Sequence, residues 1–307
     1  MTFVNDGTVT IAVVDDAIDT RHSEFAGRVV AEFDASTGLH SALPRGRQPH
    51  GTKVAGLALA GGPEVKGIAP DARLLAVRLP ALCYTLGHPS EAVAIRWAVE
   101  NGADVICCAW GPQSSEATEG KLPRHTRDAI EFAAAHGRGG RGCVIVFSAG
   151  NDGGDIANNE YASHPDVMAV GACNCHGLHP RYSPTGDELF CVATSNDPGD
   201  PIGALSTYRT TAPIGSFLHG DAFYADDFGF TSAACAIAAG VCARILAADP
   251  SLTTFDARAI VARTCERIDI AGGMYDERGH SPLYGLGRID LDRALHTVYQ
   301  KIATSSV

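Results

Sequence analysis

Four short apolar runs constrain this chain most: "VTIAVVD" (9–15), "ARLLAVRL" (72–79), "ADVICCAW" (103–110) and "GCVIVFSAG" (142–150). Each has the length of a strand, and none shows the regular polar alternation of a strand with one wet face. Both faces of the sheet they form must therefore be covered. Helical patterns at 50–60, 90–101, 125–137 and 231–247 alternate with these runs. Such alternation predicts an α/β fold in three layers, a mostly parallel sheet with helices on both faces. Further strands are expected at 167–173 and 189–194, and further helices near 254–265 and 290–298. Residues 195–228 are rich in Gly, Pro, Asp, Ser and Thr and read as an irregular loop region with room for a hairpin. The last residues, 299–307, are expected to be a flexible tail.

The 307 residues are read as one large domain, since α/β folds of this size form single units. With 45% hydrophobic and 19% charged residues, the chain has material for a substantial core. Lys and Arg total 24 against 35 Asp and Glu, a net charge of −11. That balance opposes a nucleic-acid role, which needs a basic footprint, and suits attraction of basic peptides. Most of the ten cysteines sit inside apolar runs and read as buried, reduced small hydrophobes. Cys173, Cys175 and His176 in "CNCH" have no second ligand pair, and no metal is assigned to them. No secretory leader or long uncharged apolar run is recognised, and Ala233–Ala248 contains Arg244, as a core helix can. No membrane association is expected. If Met1 is the natural start the expected location is cytoplasmic, and secretion would require a leader already removed.

Ligands of such sheets bind outside the carboxyl ends of the strands, so chemistry is sought there. Asp15 ends the first apolar strand. His50 opens "HGTKVAGLALA", at the head of a helix, and Asn151 follows the strand "VIVFSAGN". Ser232 stands at the head of the apolar helix "TSAACAIAAGVCARIL", beside Thr231. Each alone reads as an ordinary turn or capping residue. Together they place an acid, an imidazole, an amide donor and a hydroxyl on one edge of one sheet. A serine hydroxyl is a weak nucleophile until a histidine takes its proton, and a carboxylate holds that imidazole's tautomer and stabilises its cation. The resulting oxyanion needs donors, here the Asn151 amide and the Ser232 backbone N–H.

At this point the chain resembles the subtilisin-type serine proteases, whose triad runs in the order Asp, His, Ser. The likeness extends from about residue 8 to 265 and is carried by "VVDDAID", "HGTKVAG", "GIAPDARLLAVR", "VFSAGND", "YSPTGDELFCVA" and "TSAACAIAAG". It implies a subtilisin-like fold and a serine endopeptidase that hydrolyses peptide bonds through an acyl-enzyme. Asp15 (rather than Asp16), His50 and Ser232 would be its triad, and Asn151 its oxyanion donor. "AWGP" and "GRGGRGCVIVFSAGN" are similar to the kexin and proprotein-convertase branch, which cleaves after basic residues. Ala109, Trp110 and Gly111 match the edge on which family members pair an extended substrate. Where that branch has an acidic pair after Trp-Gly-Pro, this chain has Gln113, Ser114 and Ser115, so Asp155 and Glu160 are the acids expected to receive a basic side chain.

Three departures from the family pattern stand near the site: Phe230 before Thr231, Ala236 in the place of a proline, and Ala17 in the place of a glycine. The resemblance implies no cofactor for the chemistry but leaves room for a structural calcium, with Glu24, Asp197 and Asp200 as oxygen donors. The expected partner is a peptide or protein substrate. Two alternatives share the fold: a macrocyclase or transpeptidase, in which an amine resolves the acyl-enzyme, and a pseudoprotease that binds peptides along "CAWG" without cutting them. The family's usual N-terminal propeptide is not recognised before residue 8.

Overall fold

All six apolar runs form strands. The computed structural model describes residues 8–45, 50–62, 64–79, 87–112, 121–197 and 228–305, together with the backbone of 210–211 and 224–225. Strands β1 Thr10–Asp15, β2 Val29–Asp34, β3 Arg73–Arg78, β4 Val105–Cys108, β5 Val144–Ser148, β6 Val167–Cys173 and β7 Cys191–Thr194 make one sheet in the order β2-β3-β1-β4-β5-β6-β7. Every neighbouring pair is parallel. A separate two-stranded antiparallel ribbon joins β8 Thr210–Thr211 and β9 Tyr224–Ala225, within the region where the sequence leaves room for a hairpin.

Side chains alternate between two cores. Ile11, Val13, Cys107, Val144 and Val146 pack with helices α1 His50–Leu59, α4 Phe230–Ala248, α5 Thr254–Thr264 and α6 Leu291–Ser305. Ala12, Val14, Ile106, Cys108, Ile145 and Phe147 face α2 Ser90–Glu100 and α3 Arg124–Gly140. The result is the expected three-layer α/β architecture, with an apolar helix, α4, against the middle of the sheet. That helix is long and apolar enough to cross a membrane, yet 83% of its apolar window is buried in the protein, as a core helix should be.

Two elements differ from expectation. Strand β2, "VVAEFD", has no counterpart among the expected strands; it is an edge strand, half-buried at four of its six residues, so its sequence lacks a continuous apolar run. Helix α6 continues through Ser305 rather than ending near 298, so most of the expected tail is helical. Its inner residues Ala294 and Val298 are buried, whereas Tyr299 and Ile302 are exposed, and backbone bonding carries the helix past its packed face.

The cysteines described are reduced, and Cys107, Cys108, Cys143, Cys173, Cys191, Cys235 and Cys242 are buried, as expected; Cys175 is exposed. Burial pushes the Cys143 thiol up to about 12, which keeps it protonated and inert.

The strand order reverses beside β1: the chain proceeds from β1 to β3 on one side and resumes with β4 on the other. A crevice therefore opens beyond the carboxyl ends of β1 and β4, where such sheets bind ligands.

Candidate active site

Asp15 is the last residue of β1 and is 2% exposed. Its Oδ1 lies 2.8 Å from His50 Nδ1, at the first turn of α1. The same oxygen accepts the Asp16 backbone N–H at 2.8 Å, while Oδ2 is buried with no partner among the described residues. Burial lowers the basicity of the His50 imidazole, but the charge and hydrogen bond of Asp15 and the charge of Asp16 outweigh it and raise the pKa. Asp16 faces the head of α1 and accepts backbone N–H groups from Gly51 (2.9 Å) and Ala17 (2.6 Å). Burial first, and then the Asp15 charge, raise its pKa to about 6. Of the two carboxylates, Asp15 bonds the imidazole, whereas Asp16 bonds the helix start. Gly51 is required here, because a Cβ would stand 2.5 Å from Ala17 O and 2.7 Å from Asp15 Cβ.

Ser232 lies in the first turn of α4. Gly229 is the cap, and neither Thr231 nor Ser232 caps the helix with its side chain. The first helical bond runs from Ala233 N–H to Gly229 O, so the helix leaves the Ser232 N–H unused. The Ser232 hydroxyl donates to Ala109 O at 3.2 Å, and the residue is 6% exposed. Thr231 bonds in another direction, toward Asn151. Its N–H donates to Asn151 Oδ1 (3.0 Å), and its hydroxyl lies 2.7 Å from that oxygen and 2.8 Å from Gly150 O. A backbone N–H requires an acceptor, so the amide orientation of Asn151 is fixed and its NH2 is the end left for the cleft.

His50, Asn151 and Ser232 line one open cleft of about 790 Å³ with Ala109, Trp110 and Gly111. The sheet register ends at Cys108, paired with Phe147, and Ala109–Gly111 continue beyond it along the cleft, where the Ala109 and Trp110 carbonyls accept the Ser232 and Ser148 hydroxyls. Trp110 is both a packing residue and a wall of the cleft. Its indole donates to Val14 O at 2.8 Å and packs edge-on against Phe147 and Tyr161, and it also lines the cleft.

Glu160 does not reach this cleft. Its carboxylate pairs with Lys121 at 2.6 Å and Arg127 at 3.5 Å and accepts the Leu122 N–H at 3.0 Å. The bonds from Lys121 and from the Leu122 N–H hold its pKa below the ordinary range. Asp155 caps a short 3-10 turn, accepting the Ala157 N–H at 2.9 Å. It lines a small pocket of about 10 Å³ next to the cleft, with Asp152, Asn159 and the shared Pro112 and Gly150. Asp152 carries no mark in the sequence beyond directly following Asn151. The "GRGG" element stands at the opposite end of the sheet, before β5. There Arg138 ties α3 to Leu252 O (2.7 Å) and Pro250 O (3.1 Å) and pairs with Asp104 (3.0 Å). Gln113, Ser114 and Ser115 lie outside the described residues.

Two further features of the cleft escape sequence reasoning, Phe228 and the conformation of Phe230. Phe228 meets the His50 ring edge-on, 5.4 Å between centroids. Phe230 adopts φ 59° and remains 39% exposed in the cleft. The left-handed region costs a side-chain-bearing residue about 1–2 kcal/mol, which the surroundings must offset.

Of the oxygen donors considered for calcium, the two among the described residues, Glu24 and Asp197, have separate partners. Glu24 is fully buried, and its two oxygens accept the Glu64 N–H (3.0 Å) and the Val65 N–H (3.3 Å). The adjacent carbonyls of Glu24, Leu59 and Pro70 converge on the Arg28 guanidinium. Asp197 accepts from the Asn174 amide at 3.2 Å, and Asp200 lies outside the described residues. No cluster of His, Cys, Asp and Glu fit for a metal ion occurs among the described residues.

Comparison with known proteins finds relatives along nearly the whole chain. The calcium-dependent protease of Nostoc sp. (strain PCC 7120 / SAG 25.82 / UTEX 2576) is 40% identical over 312 residues, 95% of this chain and 47% of that protein. Kexin of Candida albicans (strain WO-1) is 28% identical over 303 residues, 95% of this chain and 31% of that protein. This chain thus spans about half the length of the first and a third of the second. The crystal structure of fervidolysin from Fervidobacterium pennivorans, a keratinolytic enzyme related to subtilisin, matches with a TM-score of 0.72 at 25% identity, over 94% of this chain and 43% of that one. The family model described as "Subtilase family" matches residues 6–287, and the chain belongs to that family.

Proposed function

We propose that this chain is a serine endopeptidase that hydrolyses peptide bonds in peptide or protein substrates. The observation that carries the reading is the 2.8 Å Asp15–His50 bond at the cleft that Ser232 and Asn151 share. Asp15 holds the tautomer in which Nδ1 carries the proton, so Nε2 is the base. An extended substrate lies along Ala109–Gly111. Its carbonyl draws the Ser232 hydroxyl away from Ala109 O and toward His50, a tightening common when substrate binds. Ser232 Oγ bonds to the carbonyl carbon as His50 takes its proton, and the developing oxyanion accepts from Asn151 NH2 and the Ser232 N–H. The C–N bond then breaks as His50 returns the proton to the leaving amine, and water resolves the acyl-enzyme by the same path.

No step requires a cofactor, because the triad moves its own proton. The Nostoc relative is named for calcium dependence. The donors present around Glu24 do not fit that ion, and no step is routed through it. Of the two acids expected to receive a basic side chain, Asp155 alone adjoins the cleft and is the one we retain.

Incubation of the protein and its Ser232→Ala variant with a mixture of linear peptides tests the reading. Cleavage products whose masses sum to substrate plus one water, absent with the variant, are expected. Intact peptides, or cyclic products without added water, would overturn it.

A further inference from the structure

Helix α1, which begins at His50, ends on carbonyls that the helix itself cannot satisfy. The Gly56, Leu57 and Ala58 oxygens accept the backbone N–H groups of Ala60 (3.0 Å), Ile68 (3.0 Å) and Ala69 (2.9 Å). Leu59 O, the last, accepts instead from the Arg28 guanidinium at 2.7 Å. The same guanidinium nitrogen donates to Pro70 O at 2.5 Å, and the other terminal nitrogen donates to Glu24 O. Three carbonyls from three separate segments thus converge on one cation: the end of α1, the loop before β3, and the 3-10 turn Ser23–Phe25. The chain wraps this group closely, for a Cβ on Gly61 would collide with the guanidinium and with Pro70 O. Burial lowers the Arg28 pKa, while the Glu24 and Asp71 charges act against that, and the guanidinium keeps its charge.

Carbonyl oxygens aimed at one point repel unless a positive charge stands between them. A calcium ion can supply it, but needs about six to eight oxygens. Here the centre is filled by side-chain nitrogen, and the carboxylate a metal would require, that of Glu24, accepts the Glu64 and Val65 N–H groups instead. A cation at this place also meets the negative end of the α1 dipole. We infer that Arg28 is the resident cation of this cage and takes the place of a structural calcium, so that the segment 64–70 is held against the helix of His50 without the metal.

Hydrogen exchange of the unmodified protein, in calcium and in chelator, tests this at the site. The Gly67, Ile68 and Ala69 amides bond the end of α1 and Ala60, and should respond to calcium no more than the amides of β1. Calcium that slows them more than β1 would overturn the inference. Two variants test the cation itself by urea unfolding with chelator present. Arg28→Ala should shift the unfolding equilibrium by on the order of tenfold or more, and Arg28→Lys, which keeps the charge but not the fork, by less. Methylguanidinium at millimolar concentration should restore part of the Arg28→Ala loss. Calcium at the same concentration should restore less, since the opened cage offers it three carbonyls. Greater restoration by calcium, or an Arg28→Ala variant as stable as the unmodified protein, would overturn the inference. If Arg28→Ala does not fold, the exchange measurement on the unmodified protein still decides.

Discussion

Thr231 fixes Asn151: its N–H and hydroxyl both lie within hydrogen-bonding distance of the Asn151 carbonyl oxygen, at 3.0 and 2.7 Å. The residue beside Ser232 therefore sets which end of the Asn151 amide faces the cleft. Asn151→Ala is expected to lower kcat by about 10²–10³ with KM little changed, since the bond forms only as charge develops. Thr231→Val, which keeps shape and the backbone N–H, should lower kcat less, and the double variant should be no slower than Asn151→Ala alone. Independent, multiplying losses in steady-state kinetics would contradict the coupling.

The pH dependence follows from Asp16. The proposed mechanism needs neutral His50, whose pKa is raised against burial by Asp15 and also by the Asp16 charge. The acid limb of kcat/KM should thus lie above the ordinary histidine range. Asp16→Asn removes one negative charge, lowers the His50 pKa and moves that limb to lower pH. The Asp16 carboxyl is raised only to about 6, below that limb, so in the unmodified protein it still carries its charge while His50 loses its proton. A limb that stays in place in Asp16→Asn would count against this assignment.

Substrate preference should separate the two acids. Glu160→Gln breaks ion pairs with Lys121 and Arg127 outside the cleft and should leave the cleavage profile as it was. Asp155→Asn should weaken any preference for Arg or Lys before the scissile bond. Library profiling decides between them, and the opposite pattern would return Glu160 to the site.

Calcium should not act through Glu24. Glu24→Gln leaves one backbone N–H facing an amide NH2, and is expected to destabilise the fold by about 1–3 kcal/mol. Denaturant titrations with calcium and with chelator should give the same loss. A loss seen only with calcium would show that Glu24 serves the ion.

The sheet was legible because its inner strands are buried on both faces and write their positions as apolar runs. The half-exposed β2 left no such mark. The convergence of Asp15, His50, Asn151 and Ser232 on one cleft was legible because each stands at a strand exit or a helix start, where chain position and chemistry coincide. The surroundings of Glu160 were hidden because a carboxylate's charge is visible in sequence and its partners are not: Lys121 and Arg127 stand 39 and 33 residues before it and meet it only in the fold. The role of Thr231 was hidden for a related reason. A hydroxyl before an apolar helix reads as a cap, while here Gly229 is the cap and the hydroxyl faces Asn151. Phe230 stands out in the sequence as an unusual residue, but its left-handed backbone depends on Ser195 and Asn196, which are distant in the chain.

The central claim is that Ser232 is a nucleophile activated by His50. Intact-mass measurement after exposure of the native protein to a fluorophosphonate tests it most directly. One phosphonyl adduct located on Ser232, absent in Ser232→Ala and strongly slowed in His50→Ala, is the result expected. No adduct on the native protein, or an adduct that persists in Ser232→Ala, would contradict it.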